Sequence, residues 1–299
     1  MTLKKKIMSN MDNLMNNFAV FIITHGRPNN QFTTETLRKG NYTGKIYYIL
    51  DDEDDTIEEY YKNFGKKNCV VFHKEAWFDI GDNLTDKKGV PEYARNECFR
   101  IARELNIDYF VELDDDYKKI AYRYEKNNQL IRKDVNDFDK LFMNTIKLLD
   151  IDNIWCVAYG VDGDFIGGLN SKVKNRFYRN ARNSFFCKTS KEFRFLGRIN
   201  EDVTTPAYHN MIGKLFYTIL YVQVSLYDHK KNTGGSTEQY KEVNTYWNYF
   251  YPLLWCPSAI KIVEDKNGEF IKKISWNNLL PQVLNERYKK WEKTFVYLY

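Results

Sequence analysis

Three consecutive carboxylates, Asp114, Asp115 and Asp116, follow a mostly apolar run at residues 109–113. The run is rich in Tyr, Phe and Val, which is typical of a buried strand. Adjacent acids at a strand end repel one another and are costly to desolvate. A divalent cation would relieve this repulsion, and hard oxygen ligands suit Mg²⁺ or Mn²⁺. Asp114 and Asp116 are therefore predicted to hold a metal and a phosphorylated ligand, with a solvated acidic turn as the alternative.

Two further polar clusters follow apolar runs of the kind that form strands covered on both faces. One comprises Thr24, His25, Gly26 and Arg27 after residues 18–23, and the other comprises Asp51 and Asp52 after residues 45–50. Ligands of open α/β sheets bind at the carboxyl ends of the strands. We therefore expect these clusters and the three acids to converge on one edge of a parallel sheet.

A nucleotide at this edge would need partners for its base, its ribose and its phosphates. Asp51 or Asp52 is suited to accept hydrogen bonds from the ribose or a base N–H, while most of the acidic run 51–55 is expected to be a solvated loop. Arg27 and Arg95 are suited to bidentate pairing with phosphate. For Arg27 alone, a surface arginine in a loop is an equally good interpretation.

Two later segments contain residues suited to catalysis and metal binding. Glu201 and Asp202 follow another apolar segment, and one of these carboxylates could act as a general base toward an attacking hydroxyl. A helix-capping aspartate ahead of Val203 is the structural alternative. His229, beside Asp228, could be a further metal ligand, since imidazole suits Mn²⁺ in a mixed site. A lone histidine in a polar loop more often has no such role.

The elements that must position these residues alternate along the first part of the chain. Strands are predicted at 18–23, 45–50, 69–73 and from 109, with helices at 30–39, 56–64 and 91–105. This alternation predicts an α/β fold with a mostly parallel central sheet flanked by helices. Later elements are predicted to be helices at 134–149, 203–210 and 236–250, strands at 154–160, 184–187 and 216–225, and a hairpin turn at 264–268.

Composition narrows the class of protein. A 299-residue chain with 43% hydrophobic residues is not a disordered protein, and its net charge of +5 permits contact with nucleic acid without demanding it. The five cysteines are far apart and form no CxxC pair, which argues against a zinc knuckle or a disulfide framework. Reduced thiols predict an intracellular, cytoplasmic protein. No 18-residue apolar run predicts a membrane span, and residues 1–17 are interpreted as a tail, not as a signal peptide.

Six motifs in matching order and spacing resemble one known family. They are residues 21–28, residues 51–54, Ala94-Arg95-Asn96, residues 113–116, Asn200-Glu201-Asp202, and the late His229 with Gly234-Gly235. The chain resembles the TET/JBP-associated glycosyltransferases, a GT-A-type family of phages that hypermodify DNA bases. The resemblance covers about residues 18–240 and implies a GT-A-like catalytic domain there. A tail at 1–17 precedes this domain, and a helix and hairpin extension at 241–299, expected to pack on the same domain, follows it.

The resemblance also implies roles for individual residues. It implies a UDP-sugar donor with Mn²⁺ or Mg²⁺, with Asp114, Asp116 and His229 at the metal-ligand positions. Asp51 or Asp52 matches the uridine-side acid, Arg95 matches the arginine of the ARN motif, and Asp202 or Glu201 matches the acceptor base. The donor-binding set is completed by Thr24, His25, Arg27 and Asp115.

The acceptor that the resemblance implies is a hydroxymethylated pyrimidine in DNA, either 5-hydroxymethylcytosine or 5-hydroxymethyluracil. Such a base can be reached by flipping it from the duplex. The basic segment 172–182 is a candidate phosphate contact. A phage-encoded enzyme of this kind would act in the host cytoplasm.

Other functions are weighed against the same residues. The acceptor could instead be a sugar already on DNA or a protein side chain. A nucleotidyltransferase shares this sheet, but residues 24–28 are short and lack the lysine of a phosphate loop. A non-catalytic nucleotide- or DNA-binding module would not be expected to keep Asp116, Asp202 and His229 together.

Overall fold

A ten-stranded mixed sheet forms the centre of the described part of the molecule. The computed structural model describes residues 14–77, 91–175, 177–178, 180–227, 247, 249–275 and 279. The strands of this sheet are β1 (Phe18–Ile23), β2 (Lys45–Asp51), β3 (Cys69–Phe72), β4 (Tyr109–Asp114), β5 (Tyr117–Lys126), β6 (Gln129–Asp134), β7 (Ile154–Val161), β8 (Phe177–Tyr178), β9 (Ser184–Lys188) and β10 (Leu215–Leu226).

The sheet confirms the predicted α/β class. Its strand order is β3-β2-β1-β4-β9-β7-β10-β5-β6, with β8 paired to β10. Neighbours from β3 to β4 are parallel, as are β7 and β10. Within the described strands, β5, β8 and β9 run against the others, so the sheet is mostly parallel in strand direction. The antiparallel strand β9 lies between β4 and β7. It therefore separates the parallel strands β3, β2, β1 and β4 from the parallel pair of β7 and β10.

Helices and a double hydrophobic core cover both faces of the sheet. The helices are α1 (Phe32–Lys39), α2 (Ile57–Phe64), α3 (Pro91–Glu104), α4 (Phe138–Ile146) and α5 (Glu201–Met211). The sheet has one hydrophobic core on each face, because successive side chains of a strand point to opposite faces. Strand β4 is an example. Val111 packs in the core that contains Phe142 of α4, whereas Phe110 packs in the core that contains Phe99 of α3.

The antiparallel hairpin of β5 and β6 was not predicted from the sequence. Its turn residues Asn127 and Asn128 have φ values of 52° and 58°. Positive φ at both positions is typical of the two-residue loops that connect the strands of a hairpin. The hairpin also shortens the predicted helix at 134–149. Strand β6 ends at Asp134, and α4 begins only at Phe138. Asp137 caps this helix, because its side chain accepts a hydrogen bond from the Lys140 backbone N–H at 2.9 Å.

The C-terminal hairpin packs on α5. Strands β11 (Ile260–Glu264) and β12 (Phe270–Ile274) confirm the predicted hairpin, and buried Val203 and Ala207 of α5 pack with Ile260. Residues 249–255 are helical, and most of the helix predicted at 236–250 lies outside the described residues. The boundaries of the catalytic domain and its extension stay a prediction. None of the described helices combines the length and apolar character needed to cross a membrane.

Candidate active site

The carboxyl ends of β1, β2 and β4 meet at one edge of the sheet, as the sequence predicts. Residue Thr24, after β1, donates a hydrogen bond from Oγ1 to Oδ2 of Asp115 at 2.6 Å. The Arg27 guanidinium lies 2.9 Å from Oδ1 of the same carboxylate. His25 Nδ1 lies 2.8 Å from Oδ2 of Asp51, at the end of β2. Three separate stretches of sequence therefore form one polar edge.

Helix α1 fixes the backbone of the acidic turn after β4. Thr33 in its first turn donates from Oγ1 to the Asp114 carbonyl at 2.5 Å and from its backbone N–H to the Asp115 carbonyl at 3.1 Å. The Thr33 hydroxyl also accepts from the backbone N–H of Tyr117 at 2.9 Å. The turn is thus held from both sides, and the carboxylates themselves are left for other partners.

Asp114 and Asp116 have the properties of cation ligands. The Asp114 side chain is 32% exposed, and Asp116 is 7% exposed. Burial and the neighbouring charges of Asp114 and Asp115 raise the pKa of Asp116 to about 7. A divalent cation would neutralise this repulsion, so the carboxylate donor set fits Mg²⁺ or Mn²⁺.

The predicted third metal ligand, His229, lies outside the described residues, as does Asp228. Among the residues that the structure does describe, no group of three His, Cys, Asp or Glu side chains is arranged to hold a metal ion. The ligand roles of Asp114, Asp116 and His229 stay predictions.

Asp115 and Thr24 are buried beneath the polar edge, and their predicted contact with the donor stays a prediction. Asp115 is 3% exposed, and its two carboxylate oxygens accept from Thr24 and Arg27. Burial raises the pKa of Asp115, against the lowering effects of Arg27 and Thr24. The Thr24 hydroxyl is buried as well and also lies 2.7 Å from the Tyr60 hydroxyl. Both side chains are committed to protein partners.

Arg95 is buried among three carboxylates, and its predicted pairing with phosphate stays a prediction. Its NH2 donates to Oδ1 of Asp114 at 2.8 Å, and its Nε donates to Oε1 of Glu201 at 3.3 Å. Its NH1 lies 3.7 Å from Oε2 of Glu112. Arg95 is 2% exposed, and its guanidinium is surrounded by protein acids. Its role is to join the acidic turn to α5.

Glu112 is a site residue that sequence reasoning missed. It is fully buried in β4, and burial raises its pKa well above the ordinary value, although nearby Arg95 acts in the opposite direction. The signal was present in the sequence. A glutamate inside a strand that is otherwise apolar must find a buried partner, and Arg95 is that partner.

Glu201 and Asp202 lie in the first turn of α5, where the helix macrodipole favours negative charge. Burial raises the pKa of Glu201 to about 7; Arg95 lowers it, and Asp202 and Asp114 raise it further. The structure does not support the capping alternative for Asp202. The N-cap position is occupied by Asn200, with φ 59°, and Asp202 is already helical.

Lys272 of β12 reaches the same helix end, a contact that the sequence did not predict. Its ammonium donates to Oδ1 of Asn200. Burial lowers the pKa of Lys272, while Asp202 and Glu201 act in the opposite direction. The C-terminal hairpin therefore brings a cation beside the two acids of α5.

The β2 side of the edge forms a second charged network. Lys74, which is 4% exposed, donates from Nζ to Oδ1 of Asp51 at 3.4 Å and to Oε2 of Glu53 at 2.9 Å. Burial raises the pKa of Asp51, but His25 and Lys74 outweigh it and the net pKa is lowered. The hydrogen bond that the Asp51 carboxylate accepts from His25 raises the pKa of His25. Asp52 is more exposed, and one of its carboxylate oxygens lies 2.9 Å from His73 Nδ1.

The basic segment 172–182 is partly engaged with protein. Lys172 lies 2.8 Å and Arg182 lies 3.7 Å from Oδ1 of Asp164, which is 3% exposed. Both cations therefore compensate a buried carboxylate. The other two arginines of this segment, Arg176 and Arg179, lie outside the described residues.

Buried Arg95 thus joins the acidic edge, at the carboxyl ends of parallel strands of an α/β fold, to Glu201 at the start of α5. The family model of the TET-Associated Glycosyltransferases matches residues 18–235. The chain belongs to this family and is a glycosyltransferase.

Solved structures resemble this chain only distantly. Glucosyl-3-phosphoglycerate synthase from Mycobacterium tuberculosis, solved with Mg²⁺ and uridine diphosphate, has a TM-score of 0.46 and 10% identity over 89% of this chain and 90% of its own. TarS from S. aureus has a TM-score of 0.39 and 14% identity over 76% of this chain and 38% of its own. No curated protein sequence matches the chain.

Proposed function

We propose that the protein transfers a sugar from a UDP-sugar to a hydroxymethylated pyrimidine in DNA, with the help of a divalent metal ion. One observation carries the proposal. In a chain of this family, buried Arg95 ties Asp114 of the acidic turn to Glu201 of α5. This contact links a carboxylate suited to the donor's metal with the acids suited to the acceptor.

The donor side of the site consists of the acidic turn and the ends of β1 and β2. Asp114 and Asp116 would hold Mn²⁺ or Mg²⁺, with His229 as the proposed third ligand. The bound ion would neutralise charge on the leaving diphosphate. Asp51, held by His25 and Lys74, or the more exposed Asp52 would accept hydrogen bonds from the nucleoside. Arg27 would add positive charge near the phosphates.

The acceptor side is formed by the start of α5. Glu201 is engaged with Arg95, so we assign the general base to Asp202, one residue further along the helix. Asp202 would take the proton of the acceptor hydroxyl as that oxygen bonds to the anomeric carbon of the sugar. The bond between this carbon and the diphosphate oxygen would break in the same step. Glu201 and Arg95 would fix the position of the helix end relative to the donor.

A hydroxymethylated base is the acceptor that best combines the family with this chemistry. It offers a primary hydroxyl for Asp202, and removing the base from the stack would bring that hydroxyl to the site. The alternative acceptors, a sugar already attached to DNA and a protein side chain, also offer hydroxyl groups. Because Asp202 could deprotonate any of these hydroxyls, an experiment must decide between the acceptors.

The test is release of UDP from a panel of UDP-sugars, UDP-glucose among them, in the presence of Mn²⁺. Each donor is paired with duplex DNA containing 5-hydroxymethylcytosine, 5-hydroxymethyluracil or unmodified bases, with glucosylated DNA, and with a protein acceptor. We expect release to rise only with a hydroxymethylated duplex, and the digested DNA to contain a base heavier by one sugar. Release that rises only with glucosylated DNA or protein would overturn the acceptor assignment. Absence of UDP release from every UDP-sugar of the panel with every acceptor would overturn the donor assignment.

A further inference from the structure

Two arginines face each other across the hairpin of β5 and β6. Arg123 and Arg132 are directly paired in the antiparallel register. Like charges in this arrangement destabilise a sheet, so such a pair needs a compensating partner. Within the described residues, neither guanidinium takes part in an ion pair with a carboxylate. The repulsion lies between the edge strand β6, which carries Arg132, and its neighbour β5, which carries Arg123.

The surroundings of the pair hold the guanidinium groups in place without neutralising them. The Arg123 guanidinium lies 5.0 Å from the centre of the Phe165 ring, and the Arg132 NH2 donates to Oγ of Ser225 at 2.9 Å. The nearby acid, Asp162, already accepts from Ser225 at 2.6 Å and from Gln223. Burial and the charge of Arg132 lower the pKa of Arg123. Asp162 acts in the opposite direction, but the net pKa is lowered.

One donor of this pair is left unused. The Nε–H of Arg123 is buried and finds no hydrogen-bond partner among the residues described by the structure. A buried donor without a partner is costly, and here it belongs to a group that already carries uncompensated charge. An anion with several oxygen acceptors at the guanidinium of the exposed Arg132 and at the accessible part of Arg123 would relieve the repulsion. Phosphate oxygens match the fork of an arginine.

The contact with Ser225 brings the Arg132 guanidinium toward the end of the sheet that contains the acidic turn. Strand β5 begins directly after Asp116, and the Asp116 carbonyl accepts from the Tyr227 backbone N–H at 2.8 Å. Ser225, the partner of Arg132, is two residues before Tyr227, or roughly 7 Å along the strand. The remaining charges of the hairpin are mostly basic. They are Lys118, Lys119, Lys126 and Lys133, against Glu125 and Asp134.

We propose that Arg123 and Arg132 bind a backbone phosphate of the DNA acceptor beside the modified nucleotide. This inference rests on the proposed DNA acceptor and adds a contact surface, the β5–β6 hairpin, that the motifs of the sequence do not include. The hairpin would hold the strand against the edge of the sheet while the base enters the site. It would contribute to affinity through the phosphate and not through the base sequence.

The test is fluorescence anisotropy of a labelled duplex containing 5-hydroxymethylcytosine, measured over a series of salt concentrations. The variants are the double substitution R123Q with R132Q, the charge-retaining R123K with R132K, and the control K67Q. Lys67 is exposed and precedes β3, the opposite edge strand. We expect the double glutamine variant to weaken binding by about tenfold and to reduce the slope of log K against log salt by about 1. The lysine variant should retain most of the slope, and K67Q should bind as the wild type does.

Two further measurements separate this site from a structural role and from the donor. The thermal midpoint of the double glutamine variant should be unchanged or higher, because repulsion is removed, and UDP release without DNA should be unchanged. A lower midpoint with parallel loss of donor turnover would overturn the proposal, as would a DNA salt slope equal to that of the wild type. If the wild type itself binds no DNA, the proposed acceptor fails together with this site. If the wild type binds DNA and the double glutamine variant binds it equally well, only this site fails.

Discussion

Replacing Asp116 by asparagine is expected to stabilise the metal-free protein at pH 8. The folded-state pKa of Asp116 is raised to about 7, above its ordinary value of 3.8, by burial and by Asp114 and Asp115. A raised acid pKa means that the folded state binds the proton more tightly, so stability is lost as the pH rises from about 4 to about 7. The full difference corresponds to roughly 4 kcal/mol. Asparagine cannot ionise and avoids this cost.

Thermal unfolding in the presence of a chelator measures this effect. At pH 8, the Asp116→Asn variant should unfold at a temperature higher than the wild type by roughly 5 °C or more. At pH 5, where Asp116 is mostly protonated, most of the difference should disappear. Asp55→Asn makes the same chemical change at an exposed acid and should leave the unfolding temperature unchanged at both pH values. Added Mn²⁺ should stabilise the wild type more than the Asp116→Asn variant.

The reasoning would be refuted if Asp116→Asn lowered the unfolding temperature at pH 8. It would also be refuted if the difference between variant and wild type were the same at pH 5 and pH 8. Either result would mean that Asp116 is not held in an environment that opposes its charge, and the argument for a cation at this turn would lose its electrostatic basis.

Three other substitutions test the remaining parts of the site. Asp202→Asn should lower kcat for transfer to DNA by roughly 10²- to 10⁴-fold with the donor KM unchanged, and steady-state UDP release with near-normal kcat would contradict the base assignment. Arg95→Met leaves buried acids unpaired and should lower the free energy of unfolding, measured by urea titration, by roughly 3–5 kcal/mol. A loss below about 1 kcal/mol would contradict the role of Arg95 in compensating these acids. Lys272→Met removes the contact that holds Asn200 at the start of α5, so kcat should fall by roughly tenfold while UDP affinity stays constant. Weaker UDP binding by that variant would place Lys272 on the donor side instead.

The parallel half of the fold could be predicted because its signals are local. Apolar runs at 18–23, 45–50 and 109–113 form β1, β2 and β4, and the polar residues that follow them meet at one edge. The topology rule for parallel strands was sufficient to bring Arg27 and Asp115 together. The β5–β6 hairpin was missed, although Asn127-Asn128 is a recognisable turn pair, because exposed strands have a weaker apolar pattern.

The partners of the charged residues could not be predicted, because they depend on contacts between distant parts of the chain. Arg95 was expected to face phosphate, yet the fold surrounds it with Glu112, Asp114 and Glu201, the last of these 106 positions further along the chain. Lys272 reaches α5 only because the C-terminal hairpin packs there. Residue type shows that these side chains carry charge, but tertiary packing decides which partners they contact.

The account depends most on a cation at Asp114 and Asp116 that fastens the donor diphosphate to the sheet edge. Isothermal titration of UDP into the full-length protein, with Mn²⁺ or with a chelator, tests this claim directly. We expect UDP binding by the wild type with Mn²⁺ only, and little or no binding by Asp114→Asn and Asp116→Asn under the same conditions. UDP affinity that is unchanged by the chelator and by both substitutions would contradict the claim.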